Sequence, residues 1–284
     1  MSLIDLSGRV ALVTGGSRGI GAATAVLLAK AGAEVAITYR TRAEAAEQVL
    51  EQIRGYAENR VAVHEGVALA GTPIAIRADV SLREECEKMV QRVVEVFGRL
   101  DIFVANAGVW PPEPVGVVEM SDEQWRTTVA VNLDSVFFGC RAAMQAMSGA
   151  REVARERAVH QPRAGGNIVI VSSTASQRGE AFHADYAATK GAVNAFVKSI
   201  GVEAAAHGIN VNAVAPGWVD TEMCEVPFGA EQGVGRQEIE AGIPLGRVAS
   251  PEDIAGPIVF LCSHLARHIV GEVLNVNGGA VLCG

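Results

Sequence analysis

The chain has 284 residues, 49% of them hydrophobic, enough for one large α/β domain with a filled core. A formal net charge of −8 argues against a polyanion such as nucleic acid as partner. No apolar run approaches the length of a membrane span, the N-terminus carries charge by Asp5, and the five scattered cysteines form no CxxC pair, which together predict a reduced, cytoplasmic protein with no signal peptide or anchor.

Strand-like and helix-like segments alternate along the chain. Val10 to Thr14 is a short apolar run ending in glycines, followed by a helical pattern from Gly19 to Ala31 that Gly32 stops. Glu34 to Thr38 reads as a second strand and Arg42 to Glu58, rich in Ala, Glu and Gln, as a helix. Ile74 to Ala78 is strand three, Arg83 to Phe97 a helix closed by Gly98, and Leu100 to Ala105 strand four. One long helix is predicted from Asp122 to Met147, then a fifth strand from Asn167 to Ser172, a helix from Asp185 to His207, and a sixth strand from Ile209 to Ala215. Ser250-Pro251 opens a helix to Leu261, since Pro is favoured in a first turn, and Val273 to Val276 is the last strand. Continuous Val/Ile/Ala strands alternating with helices predict a single Rossmann-type, doubly wound parallel sheet with helices on both faces. No composition break marks a linker, so residues 1–284 are expected to form one domain.

Two patterns carry chemistry. Gly15, Gly19 and Gly21 follow the first strand and open the first helix, in GxxxGxG spacing. Glycines there permit a tight bend and let the backbone approach a pyrophosphate at the helix N-terminus. Tyr186 and Lys190 are four apart on a predicted helix and share a face. A free phenol, with a pKa of about 10, is a poor proton donor or acceptor near neutrality. A fixed ammonium beside it stabilises the phenolate. Together the two patterns point to proton transfer coupled to hydride transfer.

The stretch Thr14-Gly-Gly-Ser-Arg-Gly-Ile-Gly21 is followed in order by Asp79-Val80, Asn106-Ala-Gly108, Asn132, Ser173, Tyr186-Ala-Ala-Thr-Lys190 and Pro216-Gly217 with Thr221. On these residues the chain resembles the short-chain dehydrogenase/reductase family over nearly its whole length. Asn275 to Gly279 adds a likeness to its 3-oxoacyl-carrier-protein reductase-like subgroup. The resemblance implies that Tyr186 is the general acid in reduction and the base in oxidation. Ser173 would hold the substrate oxygen, Lys190 would lower the tyrosine pKa and bind the nicotinamide ribose, and Asn132 would hold a water linking Lys190 to solvent. It further implies a cofactor site lined by Gly15, Ser17, Arg18, Gly19, Ile20, Gly21, Tyr39, Arg40, Asp79, Val80, Asn106, Ala107, Gly108, Tyr186, Lys190, Pro216, Gly217, Val219 and Thr221.

The end of strand two reads Tyr39-Arg-Thr-Arg42, with no carboxylate before Glu44, and Arg18 lies in the glycine turn. An acid there would bind the ribose 2′-hydroxyl of NAD, whereas guanidinium groups suit a phosphate dianion. NADP(H) is therefore favoured, with NAD(H) as the alternative. Candidate pocket residues are Trp110, Thr174, Gln177, Glu180, Phe182, His183, Trp218 and Met223, and residues 221–242, with several glycines, are expected to form a substrate lid.

The overall acidity argues mildly against an acyl-carrier protein and for a free ketone or secondary alcohol. The alternatives are a 3-oxoacyl-carrier-protein reductase and a non-catalytic dinucleotide sensor. No metal is expected: His264 and His268 have a usable spacing but no third ligand. Residues 55–72 and 148–165 exceed the compact family pattern, either as surface insertions or as an interface. A homotetramer is expected, and the resemblance implies pairing through the helices of 122–147 and 185–207 and through the apolar end from Gly271 to Gly284.

Overall fold

The computed structural model of the protein describes residues 3–61, 72–156, 165–229 and 235–282. Seven strands, β1 (Val10–Val13), β2 (Glu34–Tyr39), β3 (Ile74–Arg77), β4 (Ile102–Ala105), β5 (Asn167–Val171), β6 (Asn210–Pro216) and β7 (Val273–Val276), form one all-parallel sheet in the order β3-β2-β1-β4-β5-β6-β7. The order reverses between β1 and β4, and that switch point opens a crevice at the carboxyl ends of the strands.

Side-chain alternation distributes each central strand between two cores. Leu12, Phe103, Ile168 and Ile170 face α3 (Arg83–Phe97), α5 (Ser135–Glu156) and α7 (Ala184–Ala205). Val13, Val104, Val169 and Val171 face α1 (Gly19–Lys30), α2 (Ala43–Val61) and α10 (Pro251–Leu261). Both layers are apolar, which is why the strands read as unbroken hydrophobic runs. A capping box starts α10: the Asp253 N–H donates to Ser250 Oγ, and the Ser250 N–H donates to Asp253 Oδ2 at 2.8 Å. A smaller cluster of Ile239, Ile243 and Val248 with Trp218 and Phe228 packs the segment after β6, which contains α8 (Glu225–Phe228) and α9 (Arg236–Ala241).

The helix expected from Asp122 to Met147 is not one regular helix. It comprises α4 (Asp122–Val129), a π turn over Ala130–Asp134 and then α5. Helical periodicity carries no trace of one inserted residue, because the apolar pattern continues on either side. The extra residue places Asn132, and π turns of this kind are frequent at functional sites. Of the two long connections, residues 55–61 extend α2 and 148–156 extend α5, whereas 62–71 and 157–164 lie outside the described residues. Residues 230–234 of the expected lid, and 283–284, also lie outside them.

Candidate active site

The loop after β1 is tied down by hydrogen bonds from two sides, the end of β2 and the loop after β4. The Gly15 N–H donates to Thr38 Oγ1 at 3.1 Å, and the Gly16 N–H donates to the Thr38 carbonyl at 2.9 Å. Asn106 Nδ2 donates to the Thr14 and Gly15 carbonyls at 2.9 and 3.2 Å, while Thr14 Oγ1 accepts the N–H groups of Asn106 and Ala107. Gly15 and Gly19 take φ of 64° and 53°, the left-handed region that favours glycine. A Cβ on Gly21 would collide with the Gly15 carbonyl and lie 2.5 Å from Asn106 Nδ2. Gly21 thus closes the turn from behind and does not line the cleft. The Asn106 amide is likewise spent on the turn.

Ser173 follows β5, and Tyr186 and Lys190 stand one helical turn apart on α7. Lys190 Nζ lies 5.7 Å from the Tyr186 ring centroid and donates to the Val171 carbonyl at 2.8 Å. The end of β5 is fastened to α7 by a chain the sequence did not announce. Ser172 Oγ donates to Asn194 Oδ1, and Asn194 Nδ2 donates to Ser176 Oγ, both at 2.7 Å. Ser176 Oγ in turn donates to the Ser173 carbonyl. Asn194 was legible only as one more polar residue on a helix.

Asn132 is fully buried in the π turn. Its Oδ1 accepts from the Val109 N–H and its Nδ2 donates to the Val109 carbonyl, both at 2.8 Å. This side chain therefore clamps the loop after β4 and stands behind the cleft wall. A Cβ on Gly108 would lie 3.1 Å from Asn132 Oδ1 and 3.7 Å from Lys190 Nζ, so the bare glycine keeps open the space between them.

Burial controls the two titrating groups. It pushes the Tyr186 phenol up to about 12; a hydrogen bond with Ser173 opposes this, and the negative charge of Glu180 adds to it. Burial also brings the Lys190 ammonium down to about 8. Burial and Glu180 thus outweigh the lowering expected from the adjacent ammonium, and the phenol holds its proton at neutrality.

One cleft of about 330 Å³ is lined by Gly15, Ser17, Arg18, Gly19, Ile20, Tyr39, Arg40, Asp79, Val80, Asn106, Ala107, Gly108, Ser173, Tyr186, Lys190, Pro216, Gly217, Val219 and Thr221. Every residue singled out for cofactor or catalysis is on its wall except Gly21 and Asn132. The bare-backbone turn at the start of α1, the positive residues Arg18, Arg40 and Arg42, and the open space at Gly108 fit an anionic dinucleotide. Trp110, Thr174, Glu180, Trp218 and Met223 also line the cleft. Three other pocket candidates do not. Phe182 has φ of 65° and is 60% exposed, His183 is buried behind Trp110 with ring centroids 4.4 Å apart, and Gln177 Nε2 donates to Asn275 Oδ1 at 2.7 Å. They sit on the loop and short helix α6 (Ala175–Arg178) between Ser173 and Tyr186, and proximity in sequence did not reveal which way each points. Arg42, read with Arg40 as a group suited to a phosphate, is on the wall, and Cys224 lines the cleft without having been expected there; it was legible only as a reduced thiol.

Glu180 Oε1 accepts from Trp110 Nε1 at 3.3 Å. Burial raises the Glu180 carboxyl, partly offset by nearby His183 and Arg178. Trp110 meets Trp218 edge to face at 6.3 Å, and Trp218 reaches Phe228 at 6.0 Å. The substrate side of the cleft is thus an aromatic wall with one carboxyl.

A family model described as enoyl-(acyl carrier protein) reductase matches residues 15–281. An L-rhamnose 1-dehydrogenase (NAD(P)(+)) of a Sphingomonas species is 36% identical, over 96% of each chain. A short chain dehydrogenase from Burkholderia cenocepacia, solved in complex with NADP, superposes with a TM-score of 0.78 at 32% identity, over 97% of this chain and 98% of its own. A 3-ketoacyl-(acyl-carrier-protein) reductase from Brucella melitensis, complexed with NADH, has a TM-score of 0.82 at 29% identity, over 98% of this chain and 100% of its own. With the glycine turn, the Ser-Tyr-Lys cleft and the seven-stranded order in one molecule, the chain belongs to the short-chain dehydrogenase/reductase family of oxidoreductases, which act on CH–OH and keto groups.

Proposed function

We propose that the protein is an NADP(H)-dependent oxidoreductase that interconverts a ketone and a secondary alcohol, with Tyr186 as general acid and base. The observation that carries this is the meeting of Ser173, Tyr186 and Lys190 with the glycine turn in one cleft. The nicotinamide, when bound, supplies or accepts the hydride. Residues Gly15 to Gly19 would hold the pyrophosphate, Asp79 and Val80 would contact the adenine, and Asn106 to Gly108 with Pro216 to Thr221 would hold the remainder. Ser173 positions the substrate oxygen. Tyr186, protonated at neutrality, donates to that oxygen during reduction and takes the proton back during oxidation. Lys190, mostly charged at neutrality, stabilises the phenolate left behind. Asn132 keeps the wall at Val109 in place.

Three arginines support NADP(H) over NAD(H). Arg18, Arg40 and Arg42 all line the cleft, and among the described residues no carboxylate pairs with the Arg40 guanidinium. Trp110, Trp218 and Met223 beside Glu180 favour a compact, uncharged carbonyl substrate that can donate a hydrogen bond. They disfavour an anionic carrier.

The chain acts as one catalytic domain, and residues 221–229 and 235–242 of the expected substrate lid follow β6 beside the cleft. Phe137 of α5, 43% exposed and 6.3 Å from the Phe196 ring of α7, and the exposed Val202 of α7 support pairing of subunits through these helices into a homotetramer. No described helix is long and apolar enough to cross a membrane, and the four described cysteines are free.

A panel of ketones and secondary alcohols assayed with both cofactors, on the wild type and on Tyr186→Phe, tests this function. The variant should lose at least about 100-fold in kcat, the scale of general acid-base catalysis, and keep its cofactor Kd. Cofactor binding without turnover of any member by the wild type would favour a sensor.

A further inference from the structure

Glu222 follows Thr221, in the short 3₁₀ turn Glu222–Cys224 after β6, and has no part in the chemistry just described. Its Oε2 accepts hydrogen bonds from two guanidinium groups: Arg18 of the glycine turn and, at 3.0 Å, Arg42 of the loop after β2. The three residues are separated by 24 to 204 positions in the chain and meet on the wall of the cofactor cleft. The carboxylate therefore already occupies two of the three cations that line the cleft, Arg40 being the third.

We propose that Glu222 is a cofactor-discrimination residue, a carboxylate of the chain's own that competes with a 2′-phosphate for Arg18 and Arg42. This rests on the placement of that phosphate among the three arginines. A phosphate monoester brings nearly two negative charges to the spot, whereas the ribose 2′-hydroxyl brings none. NADP(H) must displace the Glu222 carboxylate from its partners and then bind beside it. NAD(H) does neither. All three side chains are about half exposed, and ion pairs so placed are weak and screened by salt, so the displacement is readily made. The consequence is a cofactor preference narrower than three arginines alone would set. Thr221 strengthens the coupling to the glycine turn: its Cγ2 lies 3.2 Å from the position of a Cβ on Gly19, so the segment bearing Glu222 packs directly on the turn.

The test is calorimetric titration of the full-length protein with NADP+ and with NAD+ at low and high salt. The proteins are the wild type, Glu222→Gln, the double variant Arg18→Gln/Arg42→Gln, and the triple variant. Glu222→Gln should tighten NADP+ by about three- to tenfold, the scale of one removed and partly screened charge, and change NAD+ by less than about twofold. The gain should shrink at high salt and be smaller in the triple variant relative to the double, where no guanidinium of Arg18 or Arg42 is left to compete for. An unchanged ratio of the two Kd values in Glu222→Gln, with NADP+ weakened in the double variant, would overturn the role of Glu222 and leave the phosphate placement standing. Equal tightening of both cofactors would also overturn it, because the carboxylate would then be acting on access to the whole cleft. If the double variant binds NADP+ as the wild type does, the phosphate lies elsewhere and the placement itself fails.

Discussion

Asn132→Ala measures how much of the active-site wall depends on one buried amide. The side chain is fully buried and makes a two-way clamp on Val109, accepting its N–H and donating to its carbonyl at 2.8 Å each. Alanine removes both partners and leaves two backbone groups facing a space the size of a carboxamide. A buried polar group left unpaired costs about 1–3 kcal/mol, so the pair costs about 2–5 kcal/mol if no water replaces the amide. For a protein of this size that is a fall in Tm of roughly 4–20 °C, at about 2–4 °C per kcal/mol. Asn132→Asp separates shape from hydrogen bonding: it can still accept from the Val109 N–H but sets an oxygen against the Val109 carbonyl, so it should be no more stable than alanine. Differential scanning calorimetry and urea unfolding read the result, with kcat measured on the same samples well below Tm. An Asn132→Ala protein that melts within about 2 °C of wild type refutes the clamp, and a large loss of kcat at unchanged stability would assign the amide to the chemistry instead.

Other outcomes follow from the same geometry. Because burial brings Lys190 down to about 8 and holds Tyr186 near 12, kcat/KM for carbonyl reduction should fall as pH rises through about 8 and Lys190 loses its charge, while alcohol oxidation, which needs the phenol deprotonated, should keep rising. Lys190→Arg keeps its charge and should abolish the inflection near 8; a reduction profile flat from pH 7 to 9 in the wild type would contradict the assignment. Arg40→Asp should move the kcat/KM ratio toward NAD(H) by about tenfold, limited by solvent screening, and an unmoved ratio would remove Arg40 from the phosphate site. Light scattering at micromolar concentration should give about four times the 29.7 kDa of one chain; a mass near 29.7 kDa would refute the tetramer.

Much of the fold was legible because its causes are local and periodic. Runs such as Val10–Val13 and Asn167–Val171 are buried on both faces, and only a sheet covered by helices on both sides accommodates them. Gly98 and Gly208 ended their helices for reasons of backbone conformation, and Ser250-Pro251 announced a start that the capping box accounts for. The Tyr186–Lys190 pair was legible because four residues on a helix are one turn.

Tertiary structure alone decided the rest. The π turn that buries Asn132 leaves the apolar pattern almost unchanged. The Asn106 amide, read as a cofactor contact, is spent on carbonyls about 90 positions away, and Asn194 holds Ser172 and Ser176 from another element. Burial, set by neighbours from the whole chain, took the Tyr186 phenol up where the adjacent lysine by itself would lower it. Arg18 and Arg42 could be read as free cations until the fold brought Glu222 between them. Periodicity records what each residue does for its own helix or strand. A hydrogen bond or an ion pair between distant segments leaves no such record, and its partner is chosen only when the sheet and its loops are assembled.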